Sequence, residues 1–183
     1  MMDIFEHLTG IKVCLQPFLK SDISSEYISW LNDPDIVRYS NQRFIRHTKK
    51  SCDEFFVNFN NGSNLFLSIK SLNDNQLIGT MTVYVYTHHK LVDIGIMLGQ
   101  KSLWRQGYAQ DAWDTLLDWL IDNQGIRKVI AGTMSCNRAM INIFERSGMR
   151  LEATLPRQEL LDGEAFDIQF YAKYGPDSES NLR

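Results

Sequence analysis

Trp104-Arg105-Gln106-Gly107-Tyr108-Ala109 lies between an apolar stretch, Ile94-Gly95-Ile96-Met97-Leu98, and a run from Tyr108 onward whose apolar residues recur every three or four positions. The first reads as a strand and the second as an amphipathic helix. A turn carrying Gly107 between them suits an anion, because glycine lets the backbone turn tightly and approach a ligand closely. The first amides of the following helix point outward without partners, at the positive end of its dipole. Nucleotide folds also place a glycine turn here, but neither G-x-x-x-x-G-K-[ST] nor G-x-G-x-x-G occurs in the chain. The helical stripe of Ala109, Ala112, Trp113, Leu116, Leu117, Leu120 and Ile121 reads as core.

Working outward, residues 77–86 and 65–70 read as strands, separated by Asn73-Asp74-Asn75 and preceded by the turn sequence Asn60-Asn61-Gly62-Ser63-Asn64. Residues 11–18 alternate loosely between apolar and polar, a first strand ended by Pro17 and Lys20-Ser21-Asp22. Ser24 or Ser25 caps a short helix with Tyr27, Ile28, Trp30 and Leu31 at helical spacing, and Thr48 caps another running to about residue 60. Downstream, residues 128–134 read as a strand, and a helix from about Asn137 ends at Gly148. Residues 151–160 and 166–174 form a closing hairpin with Asp162-Gly163 at its tip. The order predicts an α/β fold with a mixed central β-sheet of about seven strands flanked by about four helices. A chain of 183 residues, 44% of them hydrophobic, is one domain's worth of sequence, expected over residues 1–174 with a disordered polar tail at 175–183.

A net charge of −3 argues against generic nucleic-acid binding, which needs surplus Lys and Arg. Cys14, Cys52 and Cys136 are odd in number and widely spaced, so they support neither a disulfide framework nor a zinc site and fit a reducing cytoplasm. His88-His89 point to opposite faces of a strand with no further ligand cluster, so no metal is expected. The first residues lack a signal pattern and no apolar run approaches a membrane span, so a cytoplasmic protein without a membrane partner is expected.

The Trp104–Ala109 stretch resembles motif A of the GNAT superfamily of acetyl-CoA-dependent N-acetyltransferases, R/Q-x-x-G-x-G/A, in the W-x-x-G-Y-A form of its RimJ/RimL-like branch. A second segment follows in the right order. Asn137-Arg138-Ala139-Met140, ending Phe144-Glu145-Arg146-Ser147-Gly148-Met149, is similar to the superfamily's N-x-x-S-x-x-l-y-E-K-x-G-F pattern. A third, Trp30-Leu31-Asn32-Asp33-Pro34, resembles the branch's W-x-N-D-P, which borders the acceptor pocket. The resemblance implies the GNAT fold and acetyl-CoA as co-substrate, with Ile96, Met97, Leu98, Trp104, Arg105, Gln106, Gly107, Tyr108, Ala109, Asn137 and Phe144 against it. Many members dimerise, so a homodimer is among the expected partners.

The acceptor is expected to be a primary amine, on a small metabolite such as a nucleotide-linked amino sugar or at a protein N-terminus. Such an amine is mostly protonated at neutral pH and needs a route for its proton before it attacks a thioester. Asp93, beside Ile94-Gly95, is the first candidate base, and Glu159 in the closing hairpin is the second. The oxyanion needs a preplaced donor, which the resemblance puts at a backbone amide near Ile96 or Met97. Arg38, Arg43, Arg46 and His47 fall in one loop, which reads either as a solvated loop with Phe44 and Ile45 pinned into the core or as an acceptor lid; as a lid it suits an anionic acceptor, with Trp30, Arg43 and Arg46 the candidate acceptor contacts. Where many GNAT enzymes carry a tyrosine acid for the departing thiolate, this chain has Phe144, and Met140 stands where the branch has serine. These two departures keep a second reading open, a catalytically silent acyl-CoA-binding module.

Overall fold

The computed structural model describes residues 7–59 and 62–176. The expectations on the first six residues, on Asn60 and Asn61 within their turn, and on the tail beyond residue 176 fall outside them. In chain order come β1 (Leu8–Thr9), β2 (Val13–Pro17), α1 (Ser25–Leu31), α2 (Lys49–Phe59), β3 (Leu65–Ser71), β4 (Leu77–Tyr86) and β5 (Leu91–Leu98). They are followed by α3 (Tyr108–Asp118), β6 (Lys128–Met134), α4 (Arg138–Arg146), β7 (Arg150–Leu161) and β8 (Glu164–Tyr174). All eight strands form one sheet, ordered β1-β2-β3-β4-β5-β6-β8-β7. The strand beyond the expected seven is β1, whose two residues are too few to show an alternation.

Local chemistry places the helices. Ser24 accepts the Tyr27 amide at 3.1 Å to start α1, and Thr48 and Ser51 bond reciprocally across the first turn of α2. The Asn137 side chain accepts the Met140 amide at 3.3 Å to start α4. Asp162 and Gly163 both have positive φ, the backbone of a type I′ turn between β7 and β8.

Every strand pair is antiparallel except β5–β6, which pair in parallel over Leu91–Lys128, Val92–Val129 and Asp93–Ile130 and then diverge. Alternation divides the sheet's side chains between two cores. On one face Val13, Leu67, Ile69, Met81, Val83, Val92 and Val129 pack under Trp113, Leu116 and Leu117 of α3 and Ile141 and Phe144 of α4. On the other, Phe18 and Phe66 pack under Tyr27, Trp30 and Leu31 of α1 and Cys52 and Phe59 of α2. Helices α1 and α2 therefore cover the face to which Asp93, Gly95 and Met97 belong.

Asp111, in the first turn of α3, accepts the amides of Ile11, Lys12 and Val13 at 2.9, 2.7 and 3.0 Å. A side chain at Gly10 would put its Cβ 2.6 Å from Asp111 Oδ2, so this close approach requires glycine. The β1–β2 turn is thereby fixed to the start of α3. Asp111→Ala is expected to lower stability by about 1–3 kcal/mol, the penalty for donors left unpaired. A fall in the urea midpoint with unchanged slope checks it.

Candidate functional site

The turn between β5 and α3 is an anion cradle in its backbone geometry. Arg105 and Gly107 have positive φ, 62° and 86°, and the first internal bond of α3 is the Asp111 amide to the Gly107 carbonyl at 3.0 Å. The amides of Gly107, Tyr108, Ala109 and Gln110 consequently have no acceptor among the described residues. Gln106 is held within the turn, its amide on the Leu103 carbonyl and its side chain on the Ser102 carbonyl. The Trp104 indole donates to the Leu98 carbonyl at 2.9 Å, tying the cradle to the last residue of β5. Lys12 was not anticipated from the sequence: its ammonium lies 5.2 Å from the Tyr108 ring centre, and its Cε would be 3.9 Å from a Cβ on Gly107. It adds positive charge beside Gly107 and Tyr108, and Arg105 adds another within the turn itself. Only the pairing of distant β2 and α3 brings Lys12 there.

Backbone polarity along β5 follows from one bond. The Gly99 amide donates to the Ile78 carbonyl of the β4 side, so Met97, Gly95 and Asp93 turn their polar groups toward β4. Ile96 and Leu98 turn theirs toward β6, where pairing has ended after Asp93–Ile130. Trp104 satisfies the Leu98 carbonyl; the Ile96 amide faces the opening. Asn137, at the far side of the opening, donates to Thr133 Oγ1 at 3.0 Å and caps α4. Phe144 is 1% exposed between Trp113 and Tyr171, with ring centres 5.3 and 5.0 Å away, and serves the core.

Asp93 lies opposite Tyr84, on the sheet face covered by α1 and α2. Burial raises its carboxyl pKa to about 6, and burial together with the Asp93 charge raises that of the Tyr84 phenol. Beside this pair is a cavity of about 300 Å³, with Thr80, Thr82, Tyr84, Gly95, Ile96 and Met97 as its sheet side. A Cβ on Gly95 would sit 2.9 Å from the Thr82 hydroxyl, so glycine keeps this floor open. Tyr27 and Leu31 from α1, Cys52 and Phe55 from α2, and Ser40, Gln42 and His47 from the loop between them complete the wall. His47, Ile96 and Met97 were candidates from the sequence, whereas Thr80, Thr82, Tyr84, Ser40, Gln42 and Phe55 were not. The signal was present in Thr80-Met81-Thr82-Val83-Tyr84, which alternates hydroxyl and apolar side chains within one strand.

The loop arginines line an adjoining cavity that shares Leu31, Val37 and Gln42 with the first. Arg38, Arg43 and Arg46 line a second cavity of about 420 Å³, with Phe44, Asp35 and Asp162. Arg38 is ion-paired with Asp162 at 2.8 Å. Arg43 donates to the carbonyls of Ser40 and Leu160 and lies 3.8 Å from Glu159, so its guanidinium joins the loop to the β7–β8 hairpin. Glu159 lines neither cavity, and Arg46 is exposed. Trp30 is 5% exposed and its ring covers Gly99, packing with α1 while Tyr27 and Leu31 reach the first cavity. Among the described residues no three His, Cys, Asp or Glu side chains gather as a metal site, and no helix is long and apolar enough to cross a membrane.

Residues 12–150 match the acetyltransferase (GNAT) domain family. The chain is 24% identical to the uncharacterized N-acetyltransferase YnaD of Bacillus subtilis (strain 168), over 91% of this chain and 95% of that protein. It also resembles the structure of RimL, a ribosomal L7/L12 alpha-N-protein acetyltransferase in complex with coenzyme A, with a TM-score of 0.81 at 16% identity, covering 94% of this chain and 99% of that one. The Vibrio cholerae spermidine N-acetyltransferase in complex with CoA and spermine gives a TM-score of 0.79 at 14% identity, over 92% and 98%. A cradle of free amides, a parallel pair that opens beside it and a domain match over most of the chain converge: the protein belongs to the GNAT acetyltransferase family.

Proposed function

We propose that the protein transfers the acetyl group of acetyl-CoA to a primary amine by direct attack within a ternary complex. The observation that carries this reading is a half-buried carboxylate, Asp93, placed where the parallel pairing ends, beside a cavity on the face away from α3. The cosubstrate side fits as well. The free amides of residues 107–110, with Lys12 and Arg105, would hold the pyrophosphate, and Asn137 would support the pantetheine arm. The W-x-x-G-Y-A form supports a RimJ/RimL-like reading of the chain, and three free cysteines accord with a cytoplasmic setting. A protein α-amine, as named for RimL, and a small amine, as named for the Vibrio cholerae enzyme, both fall within the reading.

Acetyl-CoA supplies a thioester whose carbonyl carbon accepts the amine nitrogen as the C–N bond forms and the C–S bond breaks. Asp93, ionised above pH 6 or so, takes one proton from the ammonium, and the second leaves with the CoA thiol. The Ile96 amide, free of any strand partner, would donate to the oxygen that gains charge. With Phe144 sealed in the core, no side chain is assigned to the departing thiolate; a thiol pKa of about 8.5 makes it an adequate leaving group without one. The same Phe144 is what favours the second reading, a silent acyl-CoA-binding module, and Asp93 decides between them.

Acetyl-CoA at a hundred times its dissociation constant should stabilise the protein by about 2.7 kcal/mol, read as a rise in Tm. Asp93→Asn should reduce kcat by about 10²–10⁴-fold and leave this Tm rise intact; unchanged kcat would remove Asp93 from the chemistry. The rate should climb as pH rises through about 6. Stability runs the other way: because folding raises the Asp93 pKa, its favourable contribution is complete at low pH and is lost as pH rises through about 6. Asp93→Asn should therefore melt higher than wild type at pH 8 and show no such gain at pH 4.

A further inference from the structure

The cavity beside Asp93 is uncharged. None of its lining residues is Asp, Glu, Lys or Arg, and His47 is the one side chain there able to carry a positive charge. Its other titratable groups are kept neutral: burial raises the Tyr27 and Tyr84 phenols and the Cys52 thiol above their ordinary pKa values. The wall is also aromatic. Phe55 meets Phe66 edge to face at 5.5 Å, Phe59 behind them lies 5.2 Å from Phe55 and 5.1 Å from Tyr84, and Tyr27 closes the opposite side. Hydroxyls at Ser40, Thr80 and Thr82 and the Gln42 amide are its remaining polar groups.

The three loop arginines do not alter this. Arg38, Arg43 and Arg46 face the second cavity, and the first two are already engaged by Asp162, Glu159 and main-chain carbonyls. An anionic acceptor in the first cavity would meet no Lys or Arg, with His47 alone to offset it, and would stand close to Asp93. A polyamine would bring several ammonium groups to a site that offers one carboxylate. A second charge carried into the cavity would lose water without gaining a partner, which is unfavourable. With about 300 Å³ to fill, the part of the acceptor that enters the cavity is compact.

We propose that the acceptor is a primary amine carried on a compact, otherwise uncharged apolar body, an aromatic ring foremost. The body sits on Gly95 between Tyr27 and the Phe55–Tyr84 wall, and its ammonium faces Asp93. Phe55 and Tyr84 are its specificity determinants. This rests on the acetyltransferase reading above and narrows it: the proton path sets what reacts, and the neutral wall sets what enters.

The test is a panel of acceptors with purified protein and saturating acetyl-CoA at pH 8, following thiol release: 2-phenylethylamine, 3-methylbutylamine, spermidine, O-phosphoethanolamine and a tetrapeptide with a free N-terminus. The Tm rise with acetyl-CoA is measured in parallel. The expected result is kcat/KM for 2-phenylethylamine at least tenfold above spermidine, phosphoethanolamine and the peptide, with 3-methylbutylamine between. Phe55→Glu, at a residue 38% exposed on α2, should lower phenylethylamine turnover at least tenfold and raise that of spermidine. Preference for spermidine, the phosphorylated amine or the peptide, or no turnover of either apolar amine, would overturn the acceptor proposal; a Tm rise alongside leaves the acetyltransferase reading standing. Absence of the Tm rise would overturn that reading and this one together. The wild-type panel decides the matter even if the variant folds poorly.

Discussion

Three rungs of parallel pairing, Leu91–Lys128 to Asp93–Ile130, join the two halves of the sheet, and the molecule depends on where they stop. Two more rungs would consume the Ile96 amide and bring β6 across the opening. One fewer would leave Val92 or Ile94, fully buried against α3, without a fixed neighbour. The end of pairing is enforced from both sides. On the β5 side, the Trp104 indole bonds the Leu98 carbonyl and directs the chain into the cradle. On the β6 side, β8 pairs with all seven residues of β6 and holds it away, while Asn137 turns the chain into α4 over Thr133.

The same opening separates two chemistries by sheet face. The α3 side presents free amides and the cations Lys12 and Arg105, suited to a highly charged cosubstrate. The α1–α2 side presents aromatic rings, hydroxyls and the Asp93 carboxylate, suited to an ammonium on an apolar body. Strand alternation achieves this separation without any additional element. Along β5, Ile94 faces the α3 core while Asp93 and Gly95 belong to the opposite face, where Gly95 lines the cavity.

The sequence made legible whatever local pattern dictates. Gly107 announced the cradle, the α3 stripe announced the core, and Asp162-Gly163 announced the hairpin, each through backbone or periodicity rules that need no partner. Positions that depend on remote packing were not legible. Lys12 reaches the cradle only because Asp111 binds the turn between β1 and β2. Arg43 reads as a free cation in its loop, yet a hairpin more than a hundred residues away takes its guanidinium. The direction of Glu159 is set by an irregularity between Leu155 and Glu159 that breaks the alternation from which a facing would be read. Trp30 and Tyr27 lie on one helix face, and their sequence does not say which meets the cavity and which covers Gly99.

The cross-links from Arg38 and Arg43 to the closing hairpin carry a mechanical consequence. The loop they anchor contributes Ser40, Gln42 and His47 to the cavity wall, and the hairpin's outer strand β7 is the free edge of the sheet, exposed along nearly its whole length. The wall's height is thus coupled through two guanidinium groups to the twist of a peripheral strand. Anything that stiffens or bends that edge acts as a lever on the volume of that cavity.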